Sequence, residues 1–198
     1  AADVPVALRG VELFVVGALT VVAGMAWLQW TLRQRHAPVA TGSGGAPALG
    51  GLPLAYLVAV GIGLHNLGEG LAVGAAVAAG EVALGTTLVL GFAVHNTTEG
   101  IAIASPIAGG DVEVPPSWPH LGALVLIAGA PTIVGAWAGA FLFTPAWAAF
   151  AFGLAAGAIA EVIWSIGRRL VASGVPGAVA LGFLSGVAVM YTTSLLTS

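Results

Sequence analysis

Apolar residues run along this chain in long blocks, broken by short clusters of glycine, proline and charge. Six blocks reach the length of about 20 residues that a helix needs to cross hydrocarbon. They lie near residues 11–32, 52–79, 83–107, 121–143, 146–166 and 177–196. The breaks between them differ in kind. Residues 33–51 include Thr-Gly-Ser-Gly-Gly at 41–45 and have the composition of a flexible loop. Gly109, Gly110 and Asp111, with Pro115 and Pro116, mark a second loop. Gly80-Glu81 and Thr144-Pro145 are tight connections, so spans two and three, and spans four and five, are expected to form antiparallel hairpins. Gly174 to Pro176 separates the last two spans. The pattern predicts an all-α, polytopic membrane bundle of about six helices, a single domain over residues 1–198 with 33–51 as a loop within it.

Composition supports lipid as the solvent. Charged residues make up 7% of the 198, where a soluble domain would carry about a quarter. Mean hydropathy is +1.04. There is too little polar material to cover a water-facing exterior, which excludes an ordinary cytosolic enzyme. The absence of cysteine excludes disulfides, thiolate metal sites and cysteine nucleophiles. Five basic residues and a net charge of −3 argue against nucleic acid as a partner. No charged leader with a short apolar core and cleavage site is seen, so no signal peptide is expected.

Arg33, Arg35, Arg168 and Arg169 sit in the first and last loops, which six spans place on one side; Arg9 is the other basic residue. The positive-inside rule makes that side cytoplasmic and both termini extracytoplasmic, as expected of a multi-pass protein of a plasma or bacterial inner membrane. Trp27, Trp30, Trp118 and Trp147 fall near span ends, as an aromatic belt would. Small residues recur four apart at Gly70/Gly74, Gly135/Gly139, Gly153/Gly157 and Gly182/Gly186. Such pairs allow close helix contact or dimerisation, although a chain with 30 glycines also produces them by chance.

The second and third spans carry the chemistry. Residues 63–70 read Gly-Leu-His-Asn-Leu-Gly-Glu-Gly, and residues 93–100 read Ala-Val-His-Asn-Thr-Thr-Glu-Gly. Both copies fall mid-span, where an ionisable group costs about 2.5–3.5 kcal/mol on insertion scales. At 100° per residue, Glu69 stands between His65 and Asn66 on one stripe, and Glu99 likewise between His95 and Asn96. In a hairpin the two stripes can face each other, surrounding one cavity with two imidazoles, two carboxylates and two amide oxygens. That donor set suits Zn²⁺, and also Fe²⁺, Mn²⁺, Co²⁺ or Cd²⁺. Pairing of each His with the Glu of its own helix is the plain alternative, and the repetition of the motif weakens it. Gly70 and Gly100 would let backbones approach or the helix break locally.

Other polar residues fit less specific roles. Glu161 could be a ligand or line a pathway, and pairing with Arg168 or Arg169 is the favoured expectation. His36 and His120 read as solvated residues near span ends. Pro106 and Pro131 read as residues that end or kink helices.

The doubled His-Asn-x-x-Glu-Gly motif resembles the ZIP (Zrt/Irt-like) family of divalent metal transporters. The flanks agree: Gly70-Leu71-Ala72-Val73-Gly74 after the first copy, and Ile101-Ala102-Ile103-Ala104-Ser105-Pro106 after the second. Residues 153–162 are similar to that family's small-residue-rich seventh helix. The resemblance runs along nearly the whole chain and is strongest over residues 61–106. It implies that the six spans correspond to family helices three to eight. It also implies a binuclear site, with the motif His and Glu residues on one metal, the Asn and Glu residues on a second, and the glutamates shared. Ala130 stands before Pro131 where the resemblance implies a Glu, which leaves the second metal open. The first two family helices have no counterpart here. Either they lie outside this sequence, or this is a reduced member whose pathway partner subunits complete.

The expected function is therefore transmembrane transport of a divalent transition metal, zinc first, with the ion as substrate and the bilayer as surroundings. The metal site comprises His65, Asn66, Glu69, His95, Asn96 and Glu99, with no catalytic or organic-cofactor residues and with homodimerisation open. Two close carboxylates would share a proton when no metal is bound and release it on binding, which predicts pH-dependent transport. Two other classes stay in view: a membrane metalloenzyme, since di-metal enzymes use similar ligands in helical bundles, and a metal-binding subunit that does not itself transport.

Overall fold

The computed structural model describes residues 6–35, 51–108, 116–172 and 174–196. Six helices fill them: α1 (Val6–Arg35), α2 (Gly51–Ala78), α3 (Val82–Ala108), α4 (Trp118–Phe141), α5 (Pro145–Ala172) and α6 (Pro176–Leu196). Most of the 33–51 loop, the loop at 109–115 and His36 lie outside the described residues.

Local chemistry accounts for the sharp ends. Gly80 takes φ +84°, and the amides of Gly80 and Glu81 return to the carbonyls of Val77 and Ala76 at 3.0 Å each. This closes α2 with the paired bonds that a glycine in the left-handed region permits, and α3 starts two residues later. At the other tight connection, the Thr144 hydroxyl accepts from the Trp147 amide at 3.3 Å, and Pro145 occupies the first helical position. Pro106 and Pro131 lie inside α3 and α4 rather than ending them. Proline at 131 has no amide to offer the carbonyl of Ile127, and that carbonyl instead faces Gly63 of α2.

α2 is the central element. It packs along α4, α3 and α5, while α1 lies along α5 and α6 sits at the edge against α3 and α5. Glycine seams make these contacts. A Cβ on Gly70 or Gly74 would overlap the carbonyls of Thr132 and Ala136, and one on Gly135 or Gly139 would overlap those of Leu67 and Leu71. The α1–α5 seam works the same way, with Gly153 against Phe14 and Gly157 against Ala18. Close backbone approach of this kind is how helices associate where lipid offers no hydrophobic drive. Three of the four pairs seen in the sequence are thus spent inside the fold, whereas Gly182 and Gly186 face open space. The seams also correct one expectation. α4 and α5 follow each other tightly but do not pack as a hairpin, because α4 gives its glycine face to α2 and α5 gives its own to α1.

Contact order along each seam fixes direction. Gly63, Gly70 and Gly74 meet Ile127, Thr132 and Ala136 in turn, so α2 and α4 are parallel. Phe14 and Ala18 meet Gly153 and Gly157, so α1 and α5 are parallel. Gly61 meets Ala158 and Gly68 meets Ala155, so α2 and α5 run opposite. All three agree with strict up-down alternation. They also gather Arg33, Arg35, Arg168 and Arg169 at one end of the bundle.

Four of the described helices are long and apolar enough to cross a membrane: Arg9–Arg35, Gly51–Ala78, Trp118–Phe141 and Pro145–Val171. α6 adds a shorter apolar stretch, Pro176–Thr192. α3 has the length but carries His95, Asn96, four threonines and Glu99, which dilute its hydropathy. Outer faces bear large apolar side chains such as Leu19, Leu126 and Ile163, each more than 60% exposed. A surface of that character suits lipid around it. Trp118 and Trp147 stand in the first turns of α4 and α5, and Trp27 and Trp30 in the last turns of α1, all exposed as an aromatic belt would be.

Candidate metal centre

The α2–α3 hairpin sets the register of the two motifs. Near its tip Gly85 packs against Val77, close enough that a Cβ would press on the valine side chain at 2.8 Å. About two turns further from the tip, the same antiparallel register brings Glu69 opposite His95 and His65 opposite Glu99. One ligand atom from each of these four residues lies within 4.8 Å of every other.

Two of the three His–Glu pairings cross between the helices. Glu69 Oε1 is 2.5 Å from His95 Nε2 and 3.4 Å from His65 Nε2, and Glu99 Oε1 is 3.8 Å from His65 Nε2. The alternative in which each His serves only its own helix therefore does not hold. Glu69 and His95 are buried, and His65 and Glu99 are half-buried. Phe92 braces His95 edge to face, with ring centroids 5.4 Å apart.

Asn66 is buried, and its Nδ2 donates to the Ala128 carbonyl of α4 at 3.1 Å. That bond fixes the amide so that Oδ1 is left over. Asn66 Oδ1, Asn96 Oδ1, Glu69 Oε2, Glu99 Oε2 and His65 Nδ1 are all buried without a hydrogen-bond partner. Among the described residues one other side-chain polar atom is in that state, Arg33 Nε. Each orphaned buried polar group costs about 1–3 kcal/mol, so their concentration on two motifs needs a physical reason. Oxygens that can only accept, on the two motifs that carry the imidazoles, are what a cation would satisfy.

Both helices stay continuous through the motif glycines. Gly70 serves close approach to α4, while a Cβ on Gly100 would meet nothing within 4 Å. On the arginine side of the cluster lies a dense apolar layer: Leu57, Val58 and Ile62 of α2, at most 2% exposed, with Met25, Leu124 and Val162. On the opposite side the buried apolar group is small, Leu71 with Ala148 and Ala151.

The remaining polar residues are placed differently from expectation. Glu161 is buried and accepts from Gln29 Nε2 of α1 at 2.5 Å and from Ser165 Oγ at 3.4 Å. The expected arginine pairing gives way to these neighbours because the α1–α5 seam turns Glu161 inward. Arg168 instead lies over the Trp164 ring, 5.7 Å from its centroid. His120, expected to be merely solvated, has its Nδ1 2.8 Å from the Tyr56 hydroxyl. Gln29, Ser165, Tyr56 and the Ala128 carbonyl carried no motif that could have marked them.

No family model, no curated protein and no solved structure matches this chain.

Proposed function

We propose that this chain carries a divalent transition metal ion across a membrane, zinc before iron, manganese, cobalt or cadmium, as do the ZIP transporters that its doubled motif resembles. The observation that carries the proposal is the four-residue His and Glu cluster together with the orphaned buried acceptors on Asn66, Glu69, Asn96 and Glu99 of the same two motifs. His65, Glu69, His95 and Glu99 supply two nitrogens and two carboxylates, a complete tetrahedral set for Zn²⁺. Ligands at about 2.1 Å in that geometry stand about 3.4 Å apart. The three His–Glu distances of 2.5, 3.4 and 3.8 Å bracket that edge. A metal would therefore part Glu69 from His95 by about an ångström and draw together the wider pairs of a set whose atoms lie within 4.8 Å of one another. The Asn66 and Asn96 oxygens remain to steady the ion or its water.

Oxygen and nitrogen donors without thiolate bind reversibly, which a carrier needs. The apolar layer of Leu57, Val58, Ile62 and Met25 closes the arginine end. On this reading the ion reaches the centre from the other end, where the buried apolar group is small and which the positive-inside rule would make extracytoplasmic. Transport then requires the layer to open after the ion has bound.

Uptake of radioactive zinc into proteoliposomes tests the proposal, with a Glu69→Ala, Glu99→Ala variant beside the intact chain. Zinc should accumulate in the intact vesicles and stay at the empty-vesicle level in the variant. Equal flux in the two would overturn the assignment of the site. Zinc binding without any flux would make the chain a binding subunit rather than a carrier.

A further inference from the structure

We propose that Glu161, Ser165 and Gln29 form a second, weaker station for the transported divalent cation, within the apolar layer on the arginine side of the metal centre. The proposal rests on the transport reading above and adds to it a site that the two motifs do not include.

The three side chains are at most 9% exposed and sit inside an otherwise apolar helix pair. Acidic groups within membrane spans are costly to bury and mark ion paths more often than they serve structure. Position supports that role. Gly68, beside the metal centre, faces Ala155 of α5. Glu161 is six residues further toward the arginine end, about 9 Å along the helix. Ala158 lies between the two, and at the level of Glu161 itself Val162 and Met25 close on Gly61. An ion passing through that closure would meet Glu161 there.

Geometry supports it as well. Gln29 Nε2 lies 2.5 Å from Glu161 Oε1 and 2.8 Å from Ser165 Oγ, and the last two atoms are 3.4 Å apart. Oxygens around an octahedral ion at about 2.1 Å are separated by about 3 Å. Turning the Gln29 amide over would place three oxygens at the corners of such a face. In this structure the amide is held the other way, with Gln29 Oε1 accepting from Arg33 Nη2 at 3.5 Å. Among the described residues, Arg33 Nε is the buried side-chain polar atom without a partner outside the two motifs. The guanidinium, bonded to Gln29 Oε1, holds the amide in that orientation when the station is empty. When an ion arrives, Arg33 repels it and keeps its stay short, as a release site requires.

Manganese is the probe, because it favours oxygen donors and its free ion is counted by electron paramagnetic resonance. In detergent, a His65→Ala, Glu69→Gln, His95→Ala, Glu99→Gln variant should still remove about one Mn²⁺ per chain. Adding Glu161→Gln should weaken that binding by about tenfold or more, and adding Arg33→Gln should instead tighten it. Glu161→Gln retains shape and both hydrogen-bond partners, and Ser165→Ala gives a second, milder loss. If the four-site variant is folded by circular dichroism and takes up no Mn²⁺, or takes it up equally with Glu161→Gln, the station is disproved. Should the four-site variant not fold, Glu161→Gln in the intact chain decides, since the ion count should fall by one. An intact chain that binds no more metal than the folded four-site variant would refute the motif site instead, leaving the station to be judged on Glu161→Gln alone.

Discussion

Glu69→Ala should abolish zinc binding while leaving the bundle assembled. Glu69 is the hub of the cluster. Its Oε1 is within 3.4 Å of both histidines, one on its own helix and one on α3, and it is 6% exposed. Glu99 reaches one imidazole, at 3.8 Å, and is nearer the surface. Loss of an outer partner of a metal ligand costs about 10–100-fold in affinity. Loss of a ligand that joins both helices should cost more than about 100-fold, and Glu99→Ala should cost less than Glu69→Ala. The fold should survive. Alanine removes a carboxylate that is expensive to hold in hydrocarbon, and the two imidazoles lose an acceptor worth about 1–3 kcal/mol. These effects oppose each other. Calorimetric titration with zinc, beside thermal melts, reads both parts. Zinc affinity within a few-fold of the intact chain would remove Glu69 from the site.

The second large effect belongs to the α2–α4 seam. Gly70→Val should lower the melting temperature in detergent by about 5–10 °C, whereas Gly182→Val should leave it unchanged. At Gly70 even a Cβ overlaps the Thr132 carbonyl and comes within 2.9 Å of the Ala136 amide. Backbone cannot swing aside as a side chain can, so the cost should reach the upper part of the about 1–3 kcal/mol range for overpacking. For a chain of this size each kcal/mol is worth about 2–4 °C. Gly182 meets nothing within 4 Å. Parting α2 from α4 also loosens the Ala128 carbonyl that orients Asn66, so zinc affinity should fall along with stability. Equal melting of the two variants would mean that the seam does not hold the bundle.

Much of this architecture is legible in the sequence because lipid leaves few options. Backbone polar groups must be satisfied within each span, so long apolar blocks become helices, and the short Gly80-Glu81 turn makes the second and third antiparallel. Equal depth of the two motifs then follows, and with it the meeting of His65, Glu69, His95 and Glu99. Helix ends were less legible. α1 and α5 continue to Arg35 and Ala172, beyond the apolar blocks, because long arginine side chains can reach the interface while their backbone remains helical.

Partner choice was the part the sequence did not specify. Four glycine pairs look alike in one dimension, yet three are filled by other helices and Gly182/Gly186 is not. Which ridge fits which groove depends on all the faces at once. Glu161 shows the same limit. Arginines seven and eight residues away are conspicuous in the sequence, whereas its partner Gln29 is 132 residues distant. Only the parallel docking of α1 on α5 brings the two together.

Anomalous scattering at the zinc edge, from crystals of the zinc-loaded chain, tests the central claim most directly. The account predicts a strong peak between α2 and α3, within coordination distance of His65, Glu69, His95 and Glu99, with Glu69 drawn away from His95. A zinc-loaded protein whose peak lies elsewhere, with the Glu69–His95 contact intact, would contradict it.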